Sequence, residues 1–90
     1  MSKIVYIAGK ITGNPNYESE FIEMQGKLER DGFMVLNPAL ITKGIPNEKA
    51  MPICMEMIIQ SDGVGFLKNW GDSFGARMEQ VYAEYTGKEI

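Results

Sequence analysis

Gly63-Val64-Gly65-Phe66-Leu67, followed after a short loop by Asp72-Ser73-Phe74-Gly75-Ala76-Arg77-Met78-Glu79, reads as strand, loop and helix start. The first run is short, apolar and bounded by turn formers, the pattern of a buried strand. The second is a small, hydroxyl-bearing, glycine-containing turn that opens a helix running to about Thr86 and stopping at Gly87. The free N–H groups and positive dipole end of such a helix favour an anion. Ser73, with the N–H groups of Gly75 and Ala76, forms a candidate phosphate cradle, to which Arg77 adds charge. Glu79 lies in the second turn, near enough to meet the rest of a phosphorylated ligand. A phosphate site beside a carboxylate suggests a nucleotide or sugar phosphate.

The same alternation extends in both directions. Lys3-Ile4-Val5-Tyr6-Ile7-Ala8 is a buried strand ending at Gly9, and the turn-rich loop Gly9-Lys10-Ile11-Thr12-Gly13-Asn14-Pro15-Asn16 follows. A helix is expected from about Tyr17 to Asp31, with Phe21, Met24, Gln25 and Leu28 on one face and Gly32 as its stop. Phe33-Met34-Val35-Leu36 is the second strand, closed by Asn37-Pro38, and a loop follows through Pro46. A second helix is expected from about Met51 to Ser61, with Pro52 in its first turn and Met51, Met55, Ile58 and Ile59 inward. Lys88-Glu89-Ile90 begins a fourth strand. Strand–helix alternation implies right-handed crossovers and a parallel sheet between helices. The expected fold is thus a single small α/β domain over residues 1–90, flavodoxin-like or Rossmann-like, with strand order 2-1-3-4. Its ligand site lies beyond the carboxyl ends of the strands.

Composition narrows the function. The chain has 90 residues and a net charge of −3 without a Lys/Arg block, which argues against a nucleic-acid polymer as partner. No apolar run reaches membrane-spanning length, no signal peptide is visible, and the lone Cys54 fits a reducing cytoplasm. There is no histidine, which removes Ser-His-Asp and Cys-His catalysis and His-based metal sites. No metal and no cofactor is expected. Acid–base work falls to carboxylates, Tyr, Lys or Cys54. The seven methionines read as core filling, and Tyr82 and Tyr85 as packing or interface residues. Gly9 to Gly13 resembles nucleotide loops only loosely, because it has neither the GxGxxG nor the P-loop spacing. Trp70 either stacks on a base or anchors its own loop. Asp62, at the opposite end of its strand from the ligand edge, is expected to cap a helix end or a turn. Glu79 follows Ala76 by three residues and precedes Ala83 by four. These small neighbours leave room around its carboxylate, although a helical glutamate is more often simply solvated.

Four segments, taken in order, are similar to the nucleoside 2-deoxyribosyltransferase-like superfamily and its small bacterial and phage members. They are Tyr6-Ile7-Ala8-Gly9, Asn37-Pro38-Ala39, Ser61-Asp62-Gly63-Val64, and Trp70-x-x-Ser73-x-Gly75-Ala76-Arg77-x-Glu79. The resemblance covers essentially the whole chain, and its last segment is the most specific. It implies a double displacement on a 2-deoxyribosyl N-glycoside, as in 2-deoxynucleoside 5′-monophosphate N-glycosidases. Glu79 matches the nucleophile that forms a glycosyl-enzyme ester, and Tyr6 matches a tyrosine that hydrogen-bonds it. Ser73, six residues before Glu79, matches the serine by which monophosphate-using members hold phosphate. Gly9, Thr12, Trp70, Gly75, Ala76 and Arg77 complete the expected substrate-binding set. The expected ligand is a deoxynucleoside or its 5′-monophosphate, and a homodimer or higher homo-oligomer is expected. The chain departs from the pattern eight residues before Asp62. The family has an aspartate there that helps activate the leaving base, and this chain has Cys54. A thiol is a poor proton donor to a purine. A nucleotide sensor without chemistry and a small interaction protein are therefore the competing expectations.

Overall fold

The computed structural model describes residues 3–11, 13–68, 71 and 74–88. Its elements are β1 (Ile4–Ala8), α1 (Tyr17–Arg30), β2 (Met34–Leu36), α2 (Pro38–Ile41), α3 (Asn47–Gln60), β3 (Gly63–Phe66) and α4 (Phe74–Tyr85). The three strands form a parallel sheet in the order β2-β1-β3, with β1 at its centre. Tyr6 pairs with Leu36 on one side and with Val64 on the other. No strand pairs with the outer edge of β3 among the described residues. The fourth strand expected at Lys88-Glu89-Ile90 falls on Glu89 and Ile90, which lie outside the described residues.

The two-residue period of β1 sends its side chains into two separate cores. Tyr6 and Ala8 pack with Val64 against Cys54, Met57 and Ile58 of α3 and Ala83 of α4. Ile7 faces the other way, onto Phe21 of α1 and Ala39 of α2. The sheet thus lies between two helical layers, as the alternation of elements implied.

Two helices end as their glycines require. Gly32 has φ 91° and Gly87 has φ 75°. After α1, Gly32 N–H donates to Glu29 O at 3.0 Å and Phe33 N–H to Leu28 O at 3.0 Å. After α4, Gly87 N–H donates to Glu84 O at 3.1 Å and Lys88 N–H to Ala83 O at 2.9 Å. Both are Schellman closures, in which a left-handed residue lets the last carbonyls find donors.

Three expectations are corrected. First, the segment after β2 contains the one-turn helix α2. Asn37 caps it by accepting from Ala39 N–H at 3.0 Å, and Pro38 is its first residue. Second, α3 begins four residues earlier than Met51, so Pro52 sits inside the helix rather than in its first turn. Pro46 O accepts from the N–H groups of Lys49 and Ala50 and starts the helix there. Third, its inward face is Cys54, Met57 and Ile58, while Ile59 is exposed. Free cysteine behaves as a small hydrophobe, and counting Cys54 as one turns the stripe away from Ile59. The methionines follow suit: Met57 is buried, but Met34 and Met78 are exposed.

Candidate functional site

The side chain of Tyr6 projects from the middle of the central strand towards α3 and α4, and both helices present polar atoms to it. Its phenol O–H donates to Glu79 Oε2 at 2.5 Å, across 73 residues of sequence. Cys54, from α3, lies against the same pair and interacts with both. Tyr6 is fully buried, Cys54 is 7% exposed and Glu79 is 6% exposed. The small Ala76 and Ala83, each about one turn from Glu79, are both buried, so α4 turns this stripe inward. That is why Glu79 is not one of the solvated helical glutamates. Glu56, two residues from Cys54, is exposed and accepts from Gln60 Nε2 at 3.2 Å, so it supplies no second carboxylate here.

The electrostatics follow from burial. Removing Glu79 from water disfavours its charge and pushes its pKa up to about 7, against hydrogen bonds from Tyr6 and Cys54 that favour the anion. Burial likewise pushes the Cys54 thiol up to about 11. Tyr6 rises well above the usual phenol range, first through burial and then through the neighbouring Glu79 charge. Near neutral pH the cluster therefore holds two protonated donors around one carboxylate that is poised between its charged and neutral forms. An ionised Glu79 is a nucleophile or base, and a protonated one is a general acid.

Around this cluster the sheet end is tightly tied. Leu67 N–H donates to Ala8 O at 2.9 Å, extending the β1–β3 pairing past the strand. Gly9 is buried there, and a Cβ on it would stand 2.6 Å from Leu67 Cδ1 and 3.0 Å from Leu67 Cβ. The Gly9 requirement is thus a close approach between the segments that follow β1 and β3. At β2, Asn37 is buried and its Nδ2 donates to Gln25 Oε1 at 3.0 Å, fixing the start of α2 to α1. Asp62 works at the other sheet end. Its Oδ2 accepts from Ile4 N–H at 2.8 Å, and its own N–H donates to Ile4 O at 2.7 Å. It thus clamps the entry of β1 instead of capping a helix.

The expected site residues divide as follows. Tyr6, Cys54 and Glu79 come together. Gly9 stands at the C-terminal end of β1, and Gly75, Ala76 and Arg77 occupy the first turn of α4. Thr12, Trp70 and Ser73 lie outside the described residues. Sequence reasoning did not anticipate a cavity of about 520 Å³ lined by Glu20, Glu23, Met24 and Lys27 of α1 with Phe66, Leu67 and Lys68. None of Tyr6, Cys54 and Glu79 lines it, so its size does not make it the seat of their chemistry. Its charges come from two distant segments, and no local pattern announces their meeting. Among the described residues, no group of three or more His, Cys, Asp or Glu side chains could hold a metal ion. No helix among them is long and apolar enough to cross a membrane.

Comparison with curated proteins returns no match. A family model described as Domain of unknown function (DUF4406) matches residues 3–90. With a central tyrosine, a buried glutamate and a thiol gathered on one side of a parallel sheet, this chain belongs to the DUF4406 family.

Proposed function

We propose that this protein binds a deoxynucleoside or deoxynucleoside 5′-monophosphate and cleaves or transfers its N-glycosidic bond, with Glu79 as nucleophile. The observation that carries this reading is the short hydrogen bond between the buried Tyr6 and Glu79 side chains. A buried carboxylate held by a phenol is unusual in a structural helix and suited to covalent catalysis at an anomeric carbon. The attack forms a bond from a Glu79 oxygen to the sugar carbon and releases the base with the bond's electron pair. Water or a second base then displaces the ester. Tyr6 orients Glu79. Ser73, Gly75, Ala76 and Arg77 are assigned to the phosphate, and Gly9, Thr12 and Trp70 to the remainder of the ligand. The resemblance to the nucleoside 2-deoxyribosyltransferase-like superfamily supports these roles. In this reading Lys88-Glu89-Ile90 completes the sheet as a fourth strand in the order 2-1-3-4, and the protein works in the cytoplasm without a cofactor.

Cys54 favours a second reading. Its thiol stays protonated to about pH 11 and replaces the carboxylate that would assist base departure. A pocket that binds nucleotide with slow or no turnover would serve as a sensor. The deciding experiment incubates wild type, Cys54→Asp and Glu79→Gln with each deoxynucleoside monophosphate and follows released base by chromatography. Slow release by wild type is expected. It should be faster in Cys54→Asp, since general acid assistance is worth ~100- to 10,000-fold, and absent in Glu79→Gln with binding retained. Release that survives Glu79→Gln overturns the nucleophile. Binding by all three folded proteins without release by any establishes the sensor.

A further inference from the structure

We propose that the cavity between α1 and the end of β3 is a binding site for a free α-amino acid with an apolar side chain. The cavity measures about 520 Å³, within the range of small-molecule pockets. Its position is set by the sheet. Ile7 pairs with Gly65, so Gly65 and, two residues on, Leu67 face α1, while Tyr6 and its partners occupy the opposite face. The sheet itself therefore separates the cavity from Tyr6, Cys54 and Glu79. Nothing in the chain's own packing requires the glycine at position 65. A Cβ there would stand 3.7 Å from both Leu28 Cδ1 and Val5 Cγ1, which is ordinary van der Waals contact. Glycine inside a strand gives up packing, and it often marks a place where another molecule comes close to the backbone.

The lining selects the ligand by charge. Met24, Phe66 and Leu67 supply apolar surface, with carboxylates and ammonium groups around them. A phosphate-like anion would meet repulsion from Glu20 and Glu23, and a polyamine would meet it from Lys27 and Lys68. A ligand that carries both charges avoids each of these. Glu23 and Lys27 refine the choice. They lie four residues apart in α1, in the order that favours a helical ion pair, yet no ion pair joins them among the described residues. Both line the cavity instead. Residues at this spacing have Cβ atoms about 5–6 Å apart, which suits the ammonium and carboxylate that an α-amino acid carries on one carbon. Glu23 accepts from the ammonium, Lys27 donates to the carboxylate, and Lys68 adds a second cation from the strand side. Met24 and Leu67 receive the apolar side chain. Glu20 is held in place by Asn14, whose Nδ2 donates to Glu20 Oε1 at 2.8 Å and to Lys10 O at 3.0 Å. The site stands independently of the function proposed above.

Nitrogen-15 correlated NMR of the full chain, titrated with L-phenylalanine and L-leucine, tests it. Glu23 and Lys27 are exposed, and a ligand of this size in an open pocket binds with Kd on the order of 1 mM. Both amino acids should give saturable amide shifts centred on Met24, Lys27 and Leu67 rather than on Cys54 and Glu79. Phenethylamine lacks the carboxylate and 3-phenylpropionate lacks the ammonium, so each should bind about 3-fold or more weakly than L-phenylalanine. Glu23→Gln and Lys27→Gln should weaken L-phenylalanine to a similar extent, and the amide spectrum verifies that each variant is folded. The absence of a saturable shift with either amino acid up to about 20 mM overturns the proposal. So do shifts centred on Cys54 and Glu79, single-charge analogues that match L-phenylalanine, or variants that bind as wild type does.

Discussion

Glu79 concentrates most of what is specific to this protein. A carboxyl group that takes up its proton at about pH 7 when folded, against 4.5 as its ordinary value, makes the folded state the better proton binder between those limits. Stability from this group is therefore complete below about pH 4.5 and declines as pH rises through about 7. The decline has a ceiling of about 3.5 kcal/mol, because each pKa unit corresponds to about 1.4 kcal/mol. Thermal midpoints measured from pH 4 to pH 9 should show it in wild type, and Glu79→Gln should abolish that slope. If the proposed chemistry holds, turnover has the opposite trend: kcat/KM should rise through about pH 7 as the nucleophile ionises. The thermal data can be collected without any substrate. An identical slope in Glu79→Gln would place the titrating group elsewhere. Little of this could be read from the chain itself. The spacing of Ala76, Glu79 and Ala83 signals space on one helical face, but not that the space is shut. The meeting of Tyr6, Cys54 and Glu79 spans three elements, and only the family resemblance brought the three residues together in advance.

At the level of elements, the join between β1 and β3 is the most constrained. Gly9→Ala would place a methyl group 2.6 Å from Leu67 Cδ1, and the Leu67 Cβ at 3.0 Å leaves little room for a rotamer change to relieve it. Overpacking of this kind costs ~1–3 kcal/mol. Urea denaturation should show a loss of that size, and it should shrink when Leu67→Ala is added. Equal losses with and without Leu67→Ala would mean that backbone conformation, not contact, fixes the glycine. The strands themselves were legible because short β-branched runs stand between turn formers, and the ends of α1 and α4 were marked by Gly32 and Gly87. The one-turn α2 was announced only by Asn37-Pro38, an N-cap followed by a first-turn proline. Four residues contain too little periodicity to reveal a helix. The face of α3 was legible in part: Ile58 is buried and Met55 packs against the core as expected, but Ile59 is exposed, and Cys54 and Met57 complete the inward stripe instead.

Across the whole molecule, two thin cores share one central strand, and the fold class was apparent from the alternation of elements alone. The sheet order followed from that alternation for three strands. What the chain could not announce is how far the molecule depends on Tyr6, whose ring completes one of these cores and whose hydroxyl serves the carboxylate. The phenol cannot lose its proton in place, since its folded pKa lies far above the ordinary 10.0. The stability it lends is fully present below about pH 10 and drains away as the medium becomes more alkaline. In strong base the unfolded chain becomes the only form that can hold the Tyr6 phenolate. In a variant with Tyr17, Tyr82 and Tyr85 replaced by phenylalanine, the near-ultraviolet absorbance of that phenolate should then appear together with the loss of helical circular dichroism, in a single transition. Colour and collapse would report one event, so the chromophore at the centre of the sheet serves as a built-in indicator of whether the protein is folded.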